Sequence, residues 1–250
     1  MDRLELRRQI LNQRLEQQRL RINQRIEKQQ SRLAGTLNAR QEHIIATALE
    51  ILAEDGLENV SVREIAKRLN IKAPSLYWHF KNKEALVDYM AEAILKEQFA
   101  QIQPRADDQP WDEWLLDIMV QLRKAMLAYP DGGRVVAGAN LYPAVTLGDL
   151  FETIMASLTS AGLRLQLSRT VAMTVIDYTF GYVIEEQAAP SSEEVESLES
   201  VHRIKTRYPL MIMAMQEAHS HYKTDSNTDF IAGLQLILRA AQTITSEQTR

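Results

Sequence analysis

Apolar residues recur along most of the chain at the three- and four-residue spacing of amphipathic helices, and no segment shows the alternation of a half-buried strand. This spacing predicts an all-α fold. Helices are expected near residues 38–55, 62–69, 73–80, 83–100, 111–129, 145–161, 165–187, 195–221 and 227–245. Pro209 should kink or split the helix at 195–221, because proline has no backbone N–H to donate. Gly132 and Gly133 are expected in a turn after Pro130.

Residues 1–33 form a distinct basic segment. The pentapeptide that begins at Asn12 recurs with one conservative change at Asn23, and an eleven-residue period keeps an apolar stripe on one helix face. We expect one long amphipathic helix, with nine Lys and Arg against four Asp and Glu in a chain of net charge −4. Three roles fit it: phosphate contacts along DNA, a coiled coil with another subunit or partner, or a solvated and partly disordered tail.

The composition narrows the possible classes of protein. The chain has no cysteine, which excludes disulfides and thiolate metal sites. It shows neither an apolar stretch as long as a membrane span nor a signal peptide, so we expect a soluble cytoplasmic protein with no membrane partner. No Ser-His-Asp order, carboxylate pair or metal-ligand spacing stands out. We therefore expect no enzyme, no cofactor and no metal site.

The pattern divides the chain into a basic helical extension (1–34), a small helical domain (35–82) and a larger helical domain (83–250), with a polar link at 103–110. The small domain contains a capping box, Ser61 to Glu64, at the start of a short helix. Asn70 follows that helix and tolerates a left-handed turn, and Pro74 stands in the first turn of the next helix.

Two short helices joined by a tight turn fit a helix-turn-helix. Ile65, Leu69, Ile71, Leu76 and Phe80 would fix the crossing of the two helices, which leaves the outer face of 73–80 for a major groove. Ser75 suits a base edge or phosphate, and Ala73 and Pro74 suit thymine methyl groups. Tyr77, His79 and Lys83 suit phosphates, while Arg63 suits a guanine or a phosphate. The alternative is that Tyr77 and Trp78 belong to the core.

Residues 60–86 (VSVREIAKRLNIKAPSLYWHFKNKEAL) resemble the DNA-binding signature of the TetR family. Weaker similarity to its tetracycline-repressor subgroup extends over 129–138, 180–187 and 230–237. The resemblance implies an all-helical homodimer with a ligand pocket in the larger domain and release of double-stranded operator DNA when ligand binds. By motif position, the residues that face DNA would be Val62, Arg63, Ala73, Pro74, Ser75, Tyr77, Trp78, His79 and Lys83. Ala73 replaces a polar base-reading residue, which implies a different operator sequence.

The same resemblance identifies positions that hold a magnesium–tetracycline chelate in that subgroup. Here the drug contacts and the metal ligand of that subgroup are replaced by Phe99, Ile118, Leu122, Val136 and Ala139, and an acidic residue persists as Glu185 or Glu186. Because magnesium requires oxygen ligands, we expect a small apolar or aromatic effector instead. The expected lining is Phe99, Ile118, Leu122, Val136, Ala139, Tyr142, Met173, Tyr178 and Glu185. The alternative is that the apolar members of this set only fill a core.

The resemblance also assigns roles to whole helices. The helices at 165–187 and 227–245 are the dimerisation candidates, as a four-helix bundle across a two-fold axis. The helix at 83–100 would pass ligand binding to the recognition helices. Two other hypotheses stay open: a constitutive DNA-binding protein without effector, and a helical scaffold that acts through the 1–33 helix.

Overall fold

The computed structural model describes residues 39–100, 102–188, 206–214 and 226–248, so the helix expected at 1–33 lies outside the described residues. Every regular element in this part of the chain is helical, and the all-α prediction is confirmed. We number the main α-helices of the described residues α1 (Ala39–Asp55), α2 (Val62–Arg68), α3 (Lys83–Phe99), α4 (Trp111–Leu127), α5 (Gly132–Ala137), α6 (Val145–Ser160), α7 (Leu165–Ala188) and α8 (Ser226–Gln248). Two 3₁₀ turns are formed by Leu57–Asn59 and Ala73–Ser75.

The chain divides within α1 into two compact units, Met1–Ala46 and Thr47–Arg250. Of the first unit, the structure describes only the beginning of α1. In the second unit, α7 packs against α4, α5, α6 and α8, and α3 packs against α4, α5 and α6. None of the helices in the described ranges is long and apolar enough to cross a membrane.

Helix α4 shows how the apolar spacing builds the core. Leu115, Met119, Leu122 and Met126 follow one another at steps of three and four residues, and all four are buried. Each such side chain contributes about 1.5–3 kcal/mol when it leaves water. The opposite face of α4 carries polar residues, which fixes the side that α4 turns toward α3, α5 and α7.

The helix expected at 73–80 is shorter and tighter than predicted. Its first turn is a 3₁₀ turn in which Ser75 N donates to Lys72 O and Leu76 N donates to Ala73 O, at 2.9 and 3.1 Å. Pro74 has no N–H to donate, and the Ser75 hydroxyl also bonds the Lys72 carbonyl, at 2.7 Å. These local bonds favour the three-residue repeat over an α-helix.

The turn expected at Gly132 and Gly133 is instead the start of α5, so that prediction was wrong. Asp131 takes the left-handed conformation, at φ 57°, and α5 begins at the next residue. A Cβ on Gly132 would collide with the Met126 carbonyl, and Gly133 N donates to Gln187 Oε1 at 2.9 Å. The glycines therefore permit a close approach of α5 to α4 and α7.

Helix α8 is held on α7 by aromatic and polar contacts. The Tyr178 ring stacks on Phe230 with centroids 5.6 Å apart, and its hydroxyl donates to Phe230 O at 3.2 Å. Tyr182 donates to Ser226 O at 2.9 Å. Arg123, which is 9% exposed, bonds both Glu186 oxygens at 2.6 and 3.0 Å and Asn227 Oδ1 at 3.2 Å. These bonds connect α4, α7 and α8.

Pro209 divides a helical segment as expected. Residues 206–207 and 209–214 are helical, and Tyr208 between them is not. The rest of the helix expected at 195–221 lies outside the described residues.

Candidate functional site

Helix α2 begins at the predicted cap. Ser61 has extended backbone angles, and its hydroxyl accepts a hydrogen bond from Glu64 N at 3.2 Å. Arg68, at the other end of α2, pairs with Glu54 at 2.7 Å and with Asp55 at 2.9 Å. The helix is therefore fixed at its first turn by a cap and at its last turn by the end of α1.

A tight turn connects α2 to the recognition segment, which we define as residues 73–80. Asn70 takes the left-handed conformation, at φ 50°, and Ile71 N donates back to Ala66 O at 2.9 Å. Leu76 and Phe80 are buried, and the Phe80 ring meets Tyr89 of α3 edge-on at 5.5 Å. The second half of the recognition segment is thus anchored in the core at Leu76 and at Phe80.

Two large aromatic side chains project between these buried anchors. Trp78 is 90% exposed and Tyr77 is 57% exposed. Of the other residues expected to face DNA, Arg63 and Pro74 are exposed, while Val62, Ala73, Ser75, His79 and Lys83 are half-buried. The structure places the whole set on α2, on the recognition segment and at the first residue of α3.

Two members of that set already have partners in the protein. The Ser75 hydroxyl donates to Lys72 O, and Lys83 Nζ donates to Leu57 O at 3.0 Å. Neither bond uses the full capacity of its group, because a lysine ammonium has three donors and a serine hydroxyl oxygen can still accept. DNA contact by either group stays a prediction.

The residues expected to line an effector pocket divide into two groups. Phe99, Ile118, Leu122 and Val136 are buried, on helices α3, α4 and α5, which pack against one another. Ala139 and Tyr178 are half-buried, and Tyr142, Met173 and Glu185 are exposed. The structure therefore brings the four buried residues into one core but does not gather the whole set around one cavity.

The structure distinguishes the two neighbouring acids of α7. Glu186 is committed to the ion pair with Arg123, at 2.6 Å. Glu185 is exposed. Of these two acids, Glu185 is therefore the one exposed to solvent, and it is also the one expected to contact an effector.

A cleft of about 350 Å³ lies elsewhere, between the Leu57–Asn59 turn, the start of α3 and helix α5. Its walls include Leu57, Glu58, Lys83, Asp88, Arg134 and Asn140. Asp131 Oδ2 accepts from Leu57 N at 3.0 Å, and Arg134 reaches Glu58 at 3.2 Å. These two contacts could not be predicted from the sequence, since nothing in the local pattern connects Leu57 with Asp131 or Glu58 with Arg134, positions that are more than seventy residues apart.

The sequence pattern also gave no role to two carboxylates of α3, Asp88 and Glu92. Asp88, only 6% exposed, accepts from Asn140 N at 2.9 Å and Asn140 Nδ2 at 3.0 Å. Glu92 accepts from Thr146 N at 2.8 Å and Thr146 Oγ1 at 2.9 Å. Burial raises the pKa of Glu92, although both bonds from Thr146 oppose the shift. The only sequence signal was the four-residue spacing of two acids on a largely apolar helix.

Family models match most of the chain. The model described as bacterial regulatory proteins of the tetR family matches residues 44–90, and the tetracyclin repressor-like C-terminal domain matches residues 103–243. The first range contains α2 and the recognition segment. The second contains helices α4 to α7 and most of α8.

Individual relatives agree with the family models. The class C tetracycline repressor protein of Escherichia coli is 33% identical over 199 residues, which are 80% of this chain and 89% of that protein. A possible TetR family transcriptional regulator from Streptomyces coelicolor A3(2) superposes with a TM-score of 0.69 at 27% identity, over 81% of this chain and 98% of that one. A TetR variant from Acinetobacter baumannii AYE, solved in complex with minocycline, has a TM-score of 0.62 at 26% identity, over 84% and 99%.

The recognition segment, the helical fold and these matches agree. The chain therefore belongs to the TetR family, and it is a DNA-binding transcriptional regulator rather than an enzyme.

Proposed function

We propose that this regulator is a homodimeric repressor that occupies a palindromic operator and leaves it when a small apolar or aromatic effector binds. The observation that carries the DNA half of the proposal is the 90% exposure of Trp78, between buried Leu76 and Phe80. A tryptophan so exposed between two buried residues is available for a partner surface. Within the recognition segment, that surface is the face expected to enter the major groove.

We assign the contacts as follows. Ser75 and Arg63 read base edges or hold phosphates, and Ala73 and Pro74 meet thymine methyl groups. Tyr77, His79 and Lys83 hold phosphates, and Val62 and Trp78 complete the surface. We further assign residues 35–82 to DNA binding and 83–250 to effector binding and dimerisation. The two family matches, at 44–90 and 103–243, support this division.

The proposed effector differs from the drug for which the relatives are named. The positions that the tetracycline-repressor resemblance implies for polar contacts carry Phe99, Ile118 and Val136, and all three are buried among packed helices. None of them offers an oxygen or nitrogen ligand, so these residues do not fit a magnesium chelate. They do fit an apolar or aromatic molecule, which would gain from leaving water.

A second candidate is a regulator that binds DNA constitutively. Leu122 and Val136 have no exposed surface in the structure, and Phe99 and Ile118 have very little. Such close burial is what a filled core requires. Under this hypothesis the four residues stabilise the fold, and no effector changes operator binding.

The first experiment is selection of bound sequences from a random DNA pool, followed by titration of the selected fragment over a salt series. The proposal expects a palindromic site and an affinity that falls steeply with salt, because phosphate contacts release counterions. Failure to enrich any sequence would contradict the DNA half of the proposal.

The second experiment uses the selected fragment to test release. Magnesium–tetracycline should leave the complex intact, whereas at least one member of a panel of apolar aromatic compounds should dissociate it. Release by magnesium–tetracycline would refute the proposed effector class. No release by any compound would favour the constitutive regulator.

A further inference from the structure

The sequence of residues 1–33 carries a second pattern beside its apolar stripe. Seven of the nine Lys and Arg residues follow one another at steps of three, four or seven, the steps that keep side chains on one face of a helix. On the helix that the eleven-residue period predicts, these seven fall within an arc of about 60°. We call this set the basic stripe: Arg3, Arg7, Arg14, Arg21, Arg25, Lys28 and Arg32.

The four acidic residues of the same segment avoid the basic stripe. None of them stands three or four positions from a member of the stripe, the spacing that an ion pair along a helix requires. The two basic residues outside the stripe, Arg8 and Arg19, each follow an acid by three positions, Glu5 and Glu16. The sequence thus keeps its acids away from seven cations and places two of the acids beside the other two cations.

The domain that we assign to DNA binding is electrically neutral. Residues 35–82 contain six Lys and Arg against six Asp and Glu. Arg68 is already paired with Glu54 and Asp55, at 2.7 and 2.9 Å, and Lys83, the next residue after this range, donates to a backbone carbonyl. Cations that replace phosphate counterions supply much of the affinity of proteins for DNA. A neutral domain therefore gains from a further source of positive charge.

We propose that the basic stripe contacts phosphates of the same DNA that the recognition segment reads, and so supplies the positive charge that residues 35–82 lack. This inference rests on the proposed function, because it requires operator binding. Only five residues, 34–38, join the segment to α1, so DNA that is bound by one part of the chain is at high local concentration for the other. Phosphate contacts carry no sequence information, and the stripe therefore adds affinity without changing which operator is chosen.

The test compares two double variants of the full chain with the wild type, each titrated with the selected operator fragment over a salt series. Arg14→Gln/Arg21→Gln removes two cations of the stripe from each subunit and four from the dimer. Each phosphate contact contributes about 0.9 to the slope of log affinity against log salt, so this slope should become shallower by about 3–4. Arg8→Gln/Arg19→Gln is the matched control, because it removes the same charge outside the stripe, and it should change the slope by less than about 1.

A second readout separates phosphate contacts from base reading. The stripe variant should lose affinity for the operator and for an unrelated fragment by the same factor, so the ratio of the two affinities stays constant. Sedimentation velocity should find both variants dimeric, and a monomeric stripe variant would assign the segment to a coiled coil instead. An unchanged slope in the stripe variant, or equal changes in the two variants, would overturn the inference and leave the proposed function standing. If no fragment binds the wild-type protein, the proposed function and the inference both fail.

Discussion

The exposure of Trp78 is imposed by its neighbours in the chain, since a tryptophan side chain alone would favour burial. Tryptophan buries a large apolar area when it can, yet Leu76 and Phe80 occupy the core on either side of it. The 3₁₀ turn at Ala73–Ser75 sets the direction of the residues that follow. The exposed ring is thus a consequence of two buried anchors and a short turn.

We predict that Trp78→Ala removes a contact between the indole ring and the operator worth roughly 1.4 kcal/mol, which weakens operator binding by about tenfold. The variant should unfold at the same temperature as the wild type, since the ring contributes little buried area. Fluorescence anisotropy with the selected fragment measures the first effect and thermal unfolding the second. A lower unfolding temperature with unchanged affinity would show instead that Trp78 stabilises the fold and does not contact DNA.

Glu92 gives a stability that depends on pH. Burial raises the pKa of its carboxyl, so the folded protein holds this proton more tightly than the unfolded chain does. The contribution of Glu92 to the free energy of unfolding is then largest below the ordinary glutamate pKa, about 4.3. It decreases as the pH rises from there through the raised pKa.

The corresponding prediction concerns the difference between the unfolding free energies of the wild type and of Glu92→Gln. This difference should decrease as the pH is raised through that window, because the variant has no proton to lose at this position. Urea denaturation at a series of pH values measures it, with Glu97→Gln as the control for loss of a charge on α3. A difference that grows with pH would show that the bonds from Thr146 outweigh burial.

At the scale of elements, the contact of α7 with α8 depends on one glycine. Gly233 lies under the Tyr178 hydroxyl, and a Cβ at this position would overlap the phenol group. The Tyr178 ring cannot move aside easily, because it stacks on Phe230 and lies beside Tyr182. The small residue therefore sets how closely the two helices approach.

Gly233→Ala should lower the free energy of unfolding by about 1–3 kcal/mol, the usual cost of overpacking. Gly148→Ala is the matched control, since Gly148 is also within a helix and nothing lies within 4 Å of its Cβ position. The control should leave stability unchanged or raise it by up to about 1 kcal/mol, as expected for alanine in a helix. Equal effects of the two substitutions would contradict the role of Gly233. Chemical denaturation provides both values.

At the scale of the whole molecule, α7 and α8 leave apolar side chains in solvent. Leu236 is 70% exposed, and Met173 and Ile244 also project from these helices. TetR-family regulators form dimers, and a palindromic operator requires two recognition segments at a fixed spacing. We propose that this apolar face of α7 and α8 forms the dimer interface.

Leu236→Glu should convert the dimer to a monomer at micromolar concentration, because it buries a charge against its own copy in a two-fold interface. The affinity for operator DNA should fall as the dimer dissociates. Leu141→Glu, an exposed leucine outside α7 and α8, should remain dimeric. Sedimentation velocity distinguishes the two results, and a dimeric Leu236→Glu would place the interface elsewhere.

Local sequence patterns determined much of this protein. The apolar spacing located the long helices, because a helix that buries one face needs apolar residues every three or four positions. Ser61 and Asn70 identified the ends of α2, since a cap and a left-handed residue act on the backbone within a few residues. The signature at 60–86 was enough to indicate the family, which the family models confirm.

Tertiary packing decided what depends on distant partners. Helix α5 begins with two glycines because α4 and α7 come close to it, and no local propensity predicts that approach. The pairing of Glu186 with Arg123, 63 positions away, leaves Glu185 exposed. Likewise Asp88 and Asn140 are 52 positions apart in the chain. Only the folded chain brings such groups together, because its packing of apolar faces decides which polar side chains lose water and must bond one another.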